Sequence, residues 1–368
     1  MWLTIFLTLL ITAVCLAITR QLAVKYYHKL NVHTSDIKGK LVVVTGATSG
    51  VGVETVAECF MRGATVVFNG RRAHLVKQNV IPYLLRRLEL ATPNKVLSQD
   101  EIAQDIEDLK KGIYDKDGNF TSKRIIYRKC DLADLDQVKL FADHIISLNR
   151  PVQILFNNAG AVFGSYKSTT QNFESTTGVN ILSHFYLAEL LMENLANEAR
   201  IICVSSIMSL FVANKIAKLD LDKVLNPSKE GYFNWAQYSY SKLGVVLLAA
   251  GIQKQLDKKK ISAKAVSLHP GAIMSGFMST MHPFIYYSYL AFKPIPWSFM
   301  KNCIEGAQTS LYCAFMPYKE LEGGAYYSDC AKANRNKAVT EENTNEFMRR
   351  AGEQIAKATK RPLKNLSW

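Results

Sequence analysis

The stretch Leu41-Val-Val-Val-Thr45-Gly46-Ala-Thr-Ser-Gly50-Val-Gly52 decides the fold of this chain. The apolar, mostly β-branched run at its start predicts a strand that is buried on both faces, as strands of parallel sheets are. Glycines follow at once. They let the backbone turn sharply into a helix whose first N–H groups stay free to bind an anion. The stretch therefore predicts a phosphate-binding βα turn, although glycine clusters also occur in ordinary βα turns.

Similar apolar runs recur along the chain and predict further strands. They begin at Thr65, Arg124, Val152, Arg200 and Ser262. Helical stretches lie between the runs, at residues 53–62, 138–148 and 184–195. Strands that alternate with helices imply an α/β fold, with a Rossmann-type doubly wound parallel sheet in a single domain.

Composition limits the function classes. Of the 368 residues 48% are hydrophobic and 21% charged, which excludes a disordered or collagen-like chain. A net charge of +14 favours an anionic partner, whether a nucleotide phosphate, an acidic membrane surface or nucleic acid. The cysteines are widely spaced without a CxxC pair, so we expect reduced thiols, no disulfide and no structural metal.

The N-terminus predicts a transmembrane helix, because no residue from Trp2 to Thr19 is charged. At about 1.5 Å per residue this span reaches about 27 Å, close to one bilayer core. A cleaved signal peptide and a buried core helix are the alternatives, but no basic residue precedes the apolar run. Arg20, Lys25 and Lys29 follow it, and the positive-inside tendency places the rest of the chain in the cytosol.

We expect three parts along the chain. Residues 1–29 are the membrane anchor, residues 30–330 the main domain, and residues 331–368 a basic C-terminal tail. An insertion at about residues 76–122 is longer than one crossover helix requires, and it contains the capping-box pattern Ser98-x-x-Glu101. We assign the insertion no function.

The second predicted strand ends in Asn69-Gly70-Arg71-Arg72. An acidic residue at this point would bind the ribose diol of an adenosine, whereas a guanidinium binds a 2′-phosphate. Arg71 and Arg72 therefore favour NADPH over NADH. The alternative for either arginine alone is a solvated cation on a surface loop.

The segment Tyr238-Ser-Tyr-Ser-Lys242 is the sharpest chemical signal. Residues four apart on a helix share a face, so Tyr238 and Lys242 project together while Tyr240 points away. A phenol has a pKa of about 10, but an adjacent ammonium would lower that pKa by favouring the phenolate. We expect Tyr238 to exchange a proton with a carbonyl oxygen. An isolated YxxxK pattern is mostly structural.

Taken together, these motifs resemble the short-chain dehydrogenase/reductase family from about Asp36 to about Cys330. The family pattern occurs in order as Thr45-Gly46-xxx-Gly50-x-Gly52, Cys130-Asp131-Leu132, Asn157-Asn-Ala-Gly160, Asn180, Ser205-Ser206, Tyr238-xxx-Lys242 and His269-Pro-Gly271. The segments 306–313 and 327–330 resemble the membrane-anchored retinol dehydrogenase group within it. The chain departs from that group at Ile181-Leu-Ser-His184, usually His-Leu-Gly-His, and in the insertion.

The resemblance implies the catalytic residues Ser206, Tyr238, Lys242 and Asn180. Ser206 would bind the substrate oxygen, with Ser205 the less favoured candidate, and Asn180 would hold a water relay behind Lys242. The implied cofactor-binding residues are Thr45, Gly46, Ser49, Gly50, Gly52, Arg71, Arg72, Asp131, Asn157, Gly160, Pro270, Gly271 and Ser275.

Several of these residues carry more specific expectations from the resemblance. Asp131 would contact the adenine, and Asn157 would support the strand beside the cofactor. Lys242 would also bind the nicotinamide ribose. Pro270-Gly271 and Ser275 would flank the nicotinamide amide.

We therefore expect an NADP(H)-dependent oxidoreductase that interconverts a lipophilic alcohol with its aldehyde or ketone, of the retinoid, steroid or fatty aldehyde class. Its membrane would be the endoplasmic reticulum or another organelle, with the active site facing the cytosol. The aromatic stretch from Phe284 to Trp297 suits a lipophilic substrate, although a packed core helix would use the same residues. The resemblance is compatible with a homodimer.

Two other classes of function stay open at this point. A structural or assembly subunit of a membrane complex could retain this fold, but the intact set Ser206, Tyr238 and Lys242 argues against it. Nucleic-acid binding is permitted by the charge, but no recognised motif supports it.

Overall fold

The computed structural model describes residues 2–27, 36–93, 96–212, 219–273 and 300–366. Ser275 and the aromatic stretch 284–297 lie outside these ranges. The strands are β1 (Leu41–Val44), β2 (Thr65–Gly70), β3 (Ile113–Tyr114), β4 (Phe120–Thr121), β5 (Ile125–Lys129), β6 (Val152–Asn157), β7 (Leu195–Val204), β8 (Ala263–His269), β9 (Tyr326–Ser328) and β10 (Ala331–Ala333).

The α-helices of the described residues alternate with the strands along most of the chain, as expected. They are α1 (Trp2–Tyr27), α2 (Gly50–Met61), α3 (Ile81–Glu89), α4 (Gln99–Lys110), α5 (Leu135–Ser147), α6 (Ser175–Thr177), α7 (Ser183–Leu191), α8 (Leu221–Leu225), α9 (Asn234–Lys258), α10 (Cys303–Phe315) and α11 (Glu341–Thr359). A π-helical turn, Gly178–Leu182, joins α6 to α7, and a 3₁₀ turn, Ile207–Leu210, follows β7.

The strands form one sheet in the order β10-β9-β8-β7-β6-β1-β2-β5-β4-β3. The strands from β9 to β5 pair in parallel, and the chain reverses its direction of travel across the sheet between β1 and β6. This arrangement confirms the Rossmann-type doubly wound sheet. In such sheets the crevice for a ligand lies beyond the carboxyl ends of the strands, where the strand order reverses.

The sheet is buried on both faces, which explains the uninterrupted apolar runs in its strands. Val43 and Val67 pack into a core shared with α5, α7 and α9. Val42 and Val66 pack into the opposite core, shared with α2 and α10. Neighbouring side chains along a strand point to opposite faces, so both faces must be apolar.

The insertion folds into α3, α4, β3 and β4, and it extends both the sheet and the second core. Its capping box is present, because Ser98 Oγ accepts from the Glu101 N–H at 3.2 Å and Glu101 Oε2 accepts from the Ser98 N–H at 2.9 Å. Arg124 forms an ion pair with Asp105, which ties α4 to the start of β5.

The two ends of the chain show more contact with the main domain than the sequence suggested. Within the expected C-terminal tail, Phe347, Met348 and Ile355 of α11 are buried in the core beside α9. The division into anchor, domain and tail stays a prediction.

At the N-terminus, none of the helices within the described ranges is long and apolar enough to cross a bilayer, which leaves the expected transmembrane helix without support. Arg20, expected to be a cation at the membrane surface, is instead only 9% exposed. The reason is a buried partner, since its guanidinium donates to the carboxylate of Glu305 at 2.8 Å.

Candidate active site

A cavity of about 880 Å³ opens beyond the carboxyl ends of the parallel strands. Most of the predicted site residues line it: Gly46, Ser49, Gly50, Gly52, Arg71, Arg72, Asp131, Gly160, Ser206, Tyr238, Lys242, Pro270 and Gly271. Three others, Thr45, Asn157 and Asn180, are buried behind its wall. Segments far apart in the sequence thus meet in one cavity because parallel strands present their carboxyl ends on one side.

The turn after β1 is shaped by two glycines with little space around them. Gly46 has φ +65°, and a Cβ there would lie 2.7 Å from the Cβ of Ala159. A Cβ on Gly52 would lie 2.7 Å from the carbonyl oxygen of Gly46. The turn leads into α2 with Ser49 as its N-cap residue, so the free N–H groups of a helix face the cavity. A dinucleotide pyrophosphate fits this cradle.

Two arginines that the sequence analysis expected to bind the adenosine end of a cofactor lie at the cavity. Arg71 and Arg72 follow β2, are exposed, and line the cavity. Asp131 follows β5 on the same side, and its Oδ1 accepts a hydrogen bond from the Ala133 N–H at 3.0 Å. Asn69, near the end of β2, ties this strand to the glycine-rich turn, since its Oδ1 accepts from the Gly46 N–H at 2.9 Å.

Tyr238 and Lys242 lie one turn apart on α9 and face the cavity together. Ser206 is the N-cap residue of the 3₁₀ turn that follows β7, and it makes a hydrogen bond with the Tyr238 hydroxyl. The hydroxyl of Ser205 is engaged elsewhere, because it donates to the backbone carbonyl of Lys242 at 2.6 Å. Tyr240 packs against the hydrophobic core. The arrangement places one hydroxyl pair, Ser206 and Tyr238, where a substrate oxygen could accept two hydrogen bonds.

The protonation of this group differs from the expectation. Burial raises the pKa of Tyr238 to about 12, and the hydrogen bond with Ser206 only partly offsets this. Burial also lowers the pKa of Lys242 to about 8. The expected lowering of the phenol pKa was wrong for this structure, because desolvation by burial is the largest effect on the Tyr238 hydroxyl. Tyr238 is therefore a neutral phenol at physiological pH.

Asn180 lies in the π-helical turn between α6 and α7 and joins two walls of the site. Its Oδ1 accepts from the Ala161 N–H at 2.8 Å, and its Nδ2 donates to the Ala161 carbonyl at 3.0 Å and to Ser241 Oγ at 2.9 Å. Single π turns often occur at functional sites, where they re-aim a side chain. Asn180 therefore connects the strand end after β6 to the helix that carries Tyr238 and Lys242.

His184 connects the same turn to the glycine-rich segment. Its Nδ1 lies 3.1 Å from the carbonyl oxygen of Asn180, an acceptor, so Nδ1 carries the proton. Its Nε2 then accepts from Thr45 Oγ1 at 2.9 Å, and that oxygen in turn accepts from the N–H groups of Asn158 and Ala159. Complete burial lowers the pKa of His184 to about 3, so the ring stays neutral.

Another part of the cavity wall is formed by residues 270–273 and by Met300, and Lys301 supports it from behind. Lys301 donates its backbone N–H to the Ala272 carbonyl at 2.8 Å. Its Nζ forms an ion pair with Asp329 at 2.5 Å. A Cβ on Gly271, which has φ +89°, would lie 3.0 Å from Lys301 Cδ. The long side chain of Lys301 thus supports the turn that was expected to flank the nicotinamide.

The structure adds residues that the sequence reasoning missed. Trp235 lines the cavity with its ring 5.9 Å from that of Tyr238 and nearly perpendicular to it. Its position three residues before Tyr238 on one helix was a usable signal. Met300 lines the cavity. His184 lies behind the cavity wall, where it binds Thr45 of the glycine-rich turn. No local pattern predicts a role for these two residues, because His184 reaches the site through Thr45 and Met300 is held by Arg20, and both partners are distant in the sequence.

Sequence comparison places the chain among oxidoreductases. The family described as "short chain dehydrogenase" matches residues 88–217. Retinol dehydrogenase 12 of Mus musculus is 32% identical over 299 residues, which covers 81% of this chain and 80% of the relative. The WW domain-containing oxidoreductase of Homo sapiens is 29% identical over 313 residues, covering 84% of this chain and 66% of the relative.

Solved structures share the fold. A short chain dehydrogenase from Burkholderia cenocepacia in complex with NADP superimposes with a TM-score of 0.55 at 16% identity, covering 79% of this chain and 96% of that one. A blue fluorescent protein from a metagenomic library in complex with NADPH gives a TM-score of 0.53 at 19% identity, covering 83% and 100%. Identities this low speak for the fold alone.

Proposed function

Because the chain belongs to the short-chain dehydrogenase family and is related to the retinol dehydrogenases, we propose that it uses NADPH to interconvert a lipophilic alcohol with its aldehyde or ketone. The observation that carries the proposal is the meeting of Ser206, Tyr238 and Lys242 in the cavity that the glycine-rich turn also lines. The substrate class is retinoid, steroid or fatty aldehyde.

The residues around the cavity fit a nicotinamide dinucleotide. The turn from Gly46 to Gly52 would hold the pyrophosphate at the N-terminus of α2, and Pro270-Gly271 would flank the nicotinamide. Asp131 would lie beside the adenine. Asn157 would support the end of β6, and Asn180 would support α9, both behind the nicotinamide ring. When bound, the cofactor supplies a hydride to the carbonyl carbon. Ser275 keeps its expected role beside the amide as part of this proposal.

In reduction, Ser206 and Tyr238 bind the carbonyl oxygen and stabilise the charge that develops on it. Tyr238 then donates its proton, which the neutral phenol still carries at physiological pH. Lys242 holds a positive charge beside the phenol and limits the cost of forming the phenolate. Asn180 positions α9 through Ser241, and the proton reaches Tyr238 again from solvent.

NADPH is preferred in this proposal because Arg71 and Arg72 line the cavity at the end of β2, where the adenosine ribose would lie. Both guanidinium groups are exposed, so they are available to a phosphate. A 2′-phosphate would gain charge-assisted and, with arginine, two-pronged hydrogen bonds. A 2′-hydroxyl would gain little from the same groups.

A lipophilic substrate is supported by the apolar side chains around the catalytic hydroxyls. Val162, Phe163, Met208, Trp235 and Met300 line the cavity together with Ile207, which is 39% exposed. Apolar binding sites with a few convergent polar groups are typical of small apolar ligands. Near these segments along the chain, Phe211 and Phe233 are 71% and 63% exposed, which would suit an apolar entrance.

We also propose that α1 attaches the enzyme to a membrane, with the catalytic domain on the cytosolic side and a homodimer as the assembled form. The support is a stripe of exposed apolar side chains on one face of α1, formed by Ile11, Val14, Ile18 and Leu22. Deletion of residues 1–29 should then move the protein from the membrane fraction to the soluble fraction.

The proposed activity is tested with the full chain solubilised in detergent. Retinoid, steroid and fatty aldehydes are supplied with NADPH or NADH, and cofactor oxidation is followed at 340 nm. Tyr238→Phe is the matched blank. Turnover of none of the three classes by the wild type, or equal turnover by the blank, would overturn the proposal.

A further inference from the structure

The buried ion pair between Arg20 and Glu305 joins α1 to the wall of the active-site cavity. The two side chains are 10% and 1% exposed. Arg20 Nη2 donates to Glu305 Oε1 at 2.8 Å and to Oε2 at 3.0 Å, and Arg20 Nη1 donates to the Met300 carbonyl at 3.0 Å. Charge-assisted bonds of this kind are roughly twice as strong as neutral ones, and their fixed geometry makes the contact specific.

Glu305 has a second task that depends on the same oxygens. It is the third residue of α10 and accepts from the Asn302 N–H at 2.9 Å through Oε2, while Asn302 Oδ1 accepts from the Glu305 N–H at 2.8 Å. Removal of Arg20 would leave a buried carboxylate without this counterion, which is costly. The start of α10 would then have to shift to rehydrate it.

The contact continues from Met300 into the cavity wall. Met300 lines the cavity, and its neighbour Lys301 is bonded to Ala272 and lies against Gly271. Gly271 and Ala272 line the cavity as well. Arg20 is therefore two short steps from the turn that would flank the nicotinamide, although its hydrogen-bond partner Met300 lies 280 positions away in the sequence.

We propose that Arg20 is a positioning residue, which holds Met300 and Lys301 against Gly271 and Ala272 and so shapes the nicotinamide end of the site. This rests on the proposed function. The helix that was expected only to anchor the chain is then also part of the active-site architecture. Energetic coupling through such packed contacts typically amounts to about two- to thirty-fold in binding or rate.

The test compares a whole cofactor with a fragment that lacks the nicotinamide. In the detergent-solubilised full chain, Arg20→Met should weaken NADPH binding and lower kcat by about two- to thirty-fold. Binding of 2′,5′-ADP, which reaches only the adenosine end, should not change. Arg20→Lys keeps the charge without the two-pronged contact and should fall between the wild type and Arg20→Met.

Arg200→Met is the matched control. Arg200 is also buried and donates to backbone carbonyls, including those of Cys313 and Met316, but these lie at the opposite end of α10. Its loss should lower the melting temperature without a selective loss of NADPH over 2′,5′-ADP. A double-mutant cycle of Arg20→Met with Glu305→Gln should be strongly non-additive, since both remove one interaction.

Equal losses of NADPH and 2′,5′-ADP in Arg20→Met, or no loss of either, would overturn the inference. If Arg20→Met does not fold, the same comparison in Arg20→Lys decides. If the wild type prefers NADH, the proposed cofactor is wrong. The role of Arg20 is then tested with NADH as the whole cofactor and AMP as the fragment that lacks the nicotinamide.

Discussion

The Nζ of Lys242 lies 5.7 Å from the centre of the Tyr238 ring and donates its hydrogen bond to the carbonyl of Val204 at 2.9 Å. The lysine thus acts on the phenol through space, while Ser206 makes the direct hydrogen bond to it. The Val204 carbonyl belongs to the last residue of β7, and Ser206 follows two residues later, so one short segment both orients the ammonium and carries Ser206. The sheet and α9 hold the acid–base group between them.

We predict that Tyr238→Phe lowers kcat by about a hundred- to ten-thousand-fold, because it removes the proton donor. Binding of NADPH, measured by fluorescence titration, should be nearly unchanged. Tyr240→Phe is the control, since Tyr240 lies two residues away on the same helix and packs against the core. A larger loss in Tyr240→Phe than in Tyr238→Phe would show that the assignment is wrong.

The activity should depend on pH through Lys242, whose pKa burial lowers to about 8. Below that pH the ammonium is present, so the rate of reduction should be level and then fall as the pH rises through about 8. Stability should move the opposite way. Between about pH 8 and the ordinary lysine pKa of about 10.4 the unfolded chain binds more protons, so the free energy of unfolding rises with pH.

These two opposed trends are measured by steady-state kinetics and by urea unfolding from pH 6.5 to 10. Lys242→Met should abolish the part of the stability trend that comes from this residue. A rate that stays flat to pH 10 would refute the role of the ammonium.

Arg71→Ala should weaken NADPH binding by about 1.5–3 kcal/mol, or about ten- to a hundred-fold, because a charge-assisted contact to the 2′-phosphate is lost. Binding of NADH should barely change, and calorimetry measures both. Arg361→Ala, which removes an exposed arginine near the C-terminus, controls for net charge. Tighter binding of NADH than of NADPH by the wild type would rule out this basis for cofactor choice.

His184 should make the protein sensitive to acid. Its pKa in the folded protein is about 3, below the ordinary value of 6.5, because burial disfavours the charged ring. As the pH falls from about 6.5 towards 3 the unfolded chain gains the proton first, so stability declines over that window. His184→Gln should be less stable at pH 7 but should show a shallower decline. An unchanged slope of unfolding free energy against pH would contradict this.

Gly46→Ala should reduce stability by about 1–3 kcal/mol and impair cofactor binding, because of its positive φ and the contact with Ala159. Gly39→Ala separates the two causes. Gly39 has φ +70° but nothing within 4 Å of an added Cβ, so it reports the backbone strain alone. Equal unfolding energies for the two variants would show that the crowding at Ala159 is unimportant.

Much of the fold was readable because burial on both faces leaves a mark in the sequence. The run Leu41–Val44 became β1 without change, and α9 begins four residues before Tyr238. β7 starts at Leu195, several residues before the predicted start at Arg200. The prediction started too late because the first residues of this strand are not part of an apolar run. The hydrophobic pattern of the sequence detects a strand where both of its faces are buried. It misses the end of a strand whose side chains are exposed.

The chemistry was readable only in part. Spacing brought Tyr238 and Lys242 to one face, but the pKa of the phenol depends on how much protein surrounds it, which spacing does not reveal. The sequence predicted that Arg20 is a cation at the membrane surface. Its burial depends on an ion pair with Glu305, which lies 285 positions away. Long-range pairs of this kind have no local signature.

The insertion has one further consequence, for association between molecules. The parallel strands end at β5 and β9, whose open edges could template pairing with another chain. Each edge is covered by a short antiparallel strand, β4 with 2 residues and β10 with 3 residues. Short edge strands offer few unpaired N–H and C=O groups. The insertion at residues 76–122 thus covers the edge of the Ile125–Lys129 strand, and a chain trimmed to a plain crossover would expose that edge to pairing with another chain.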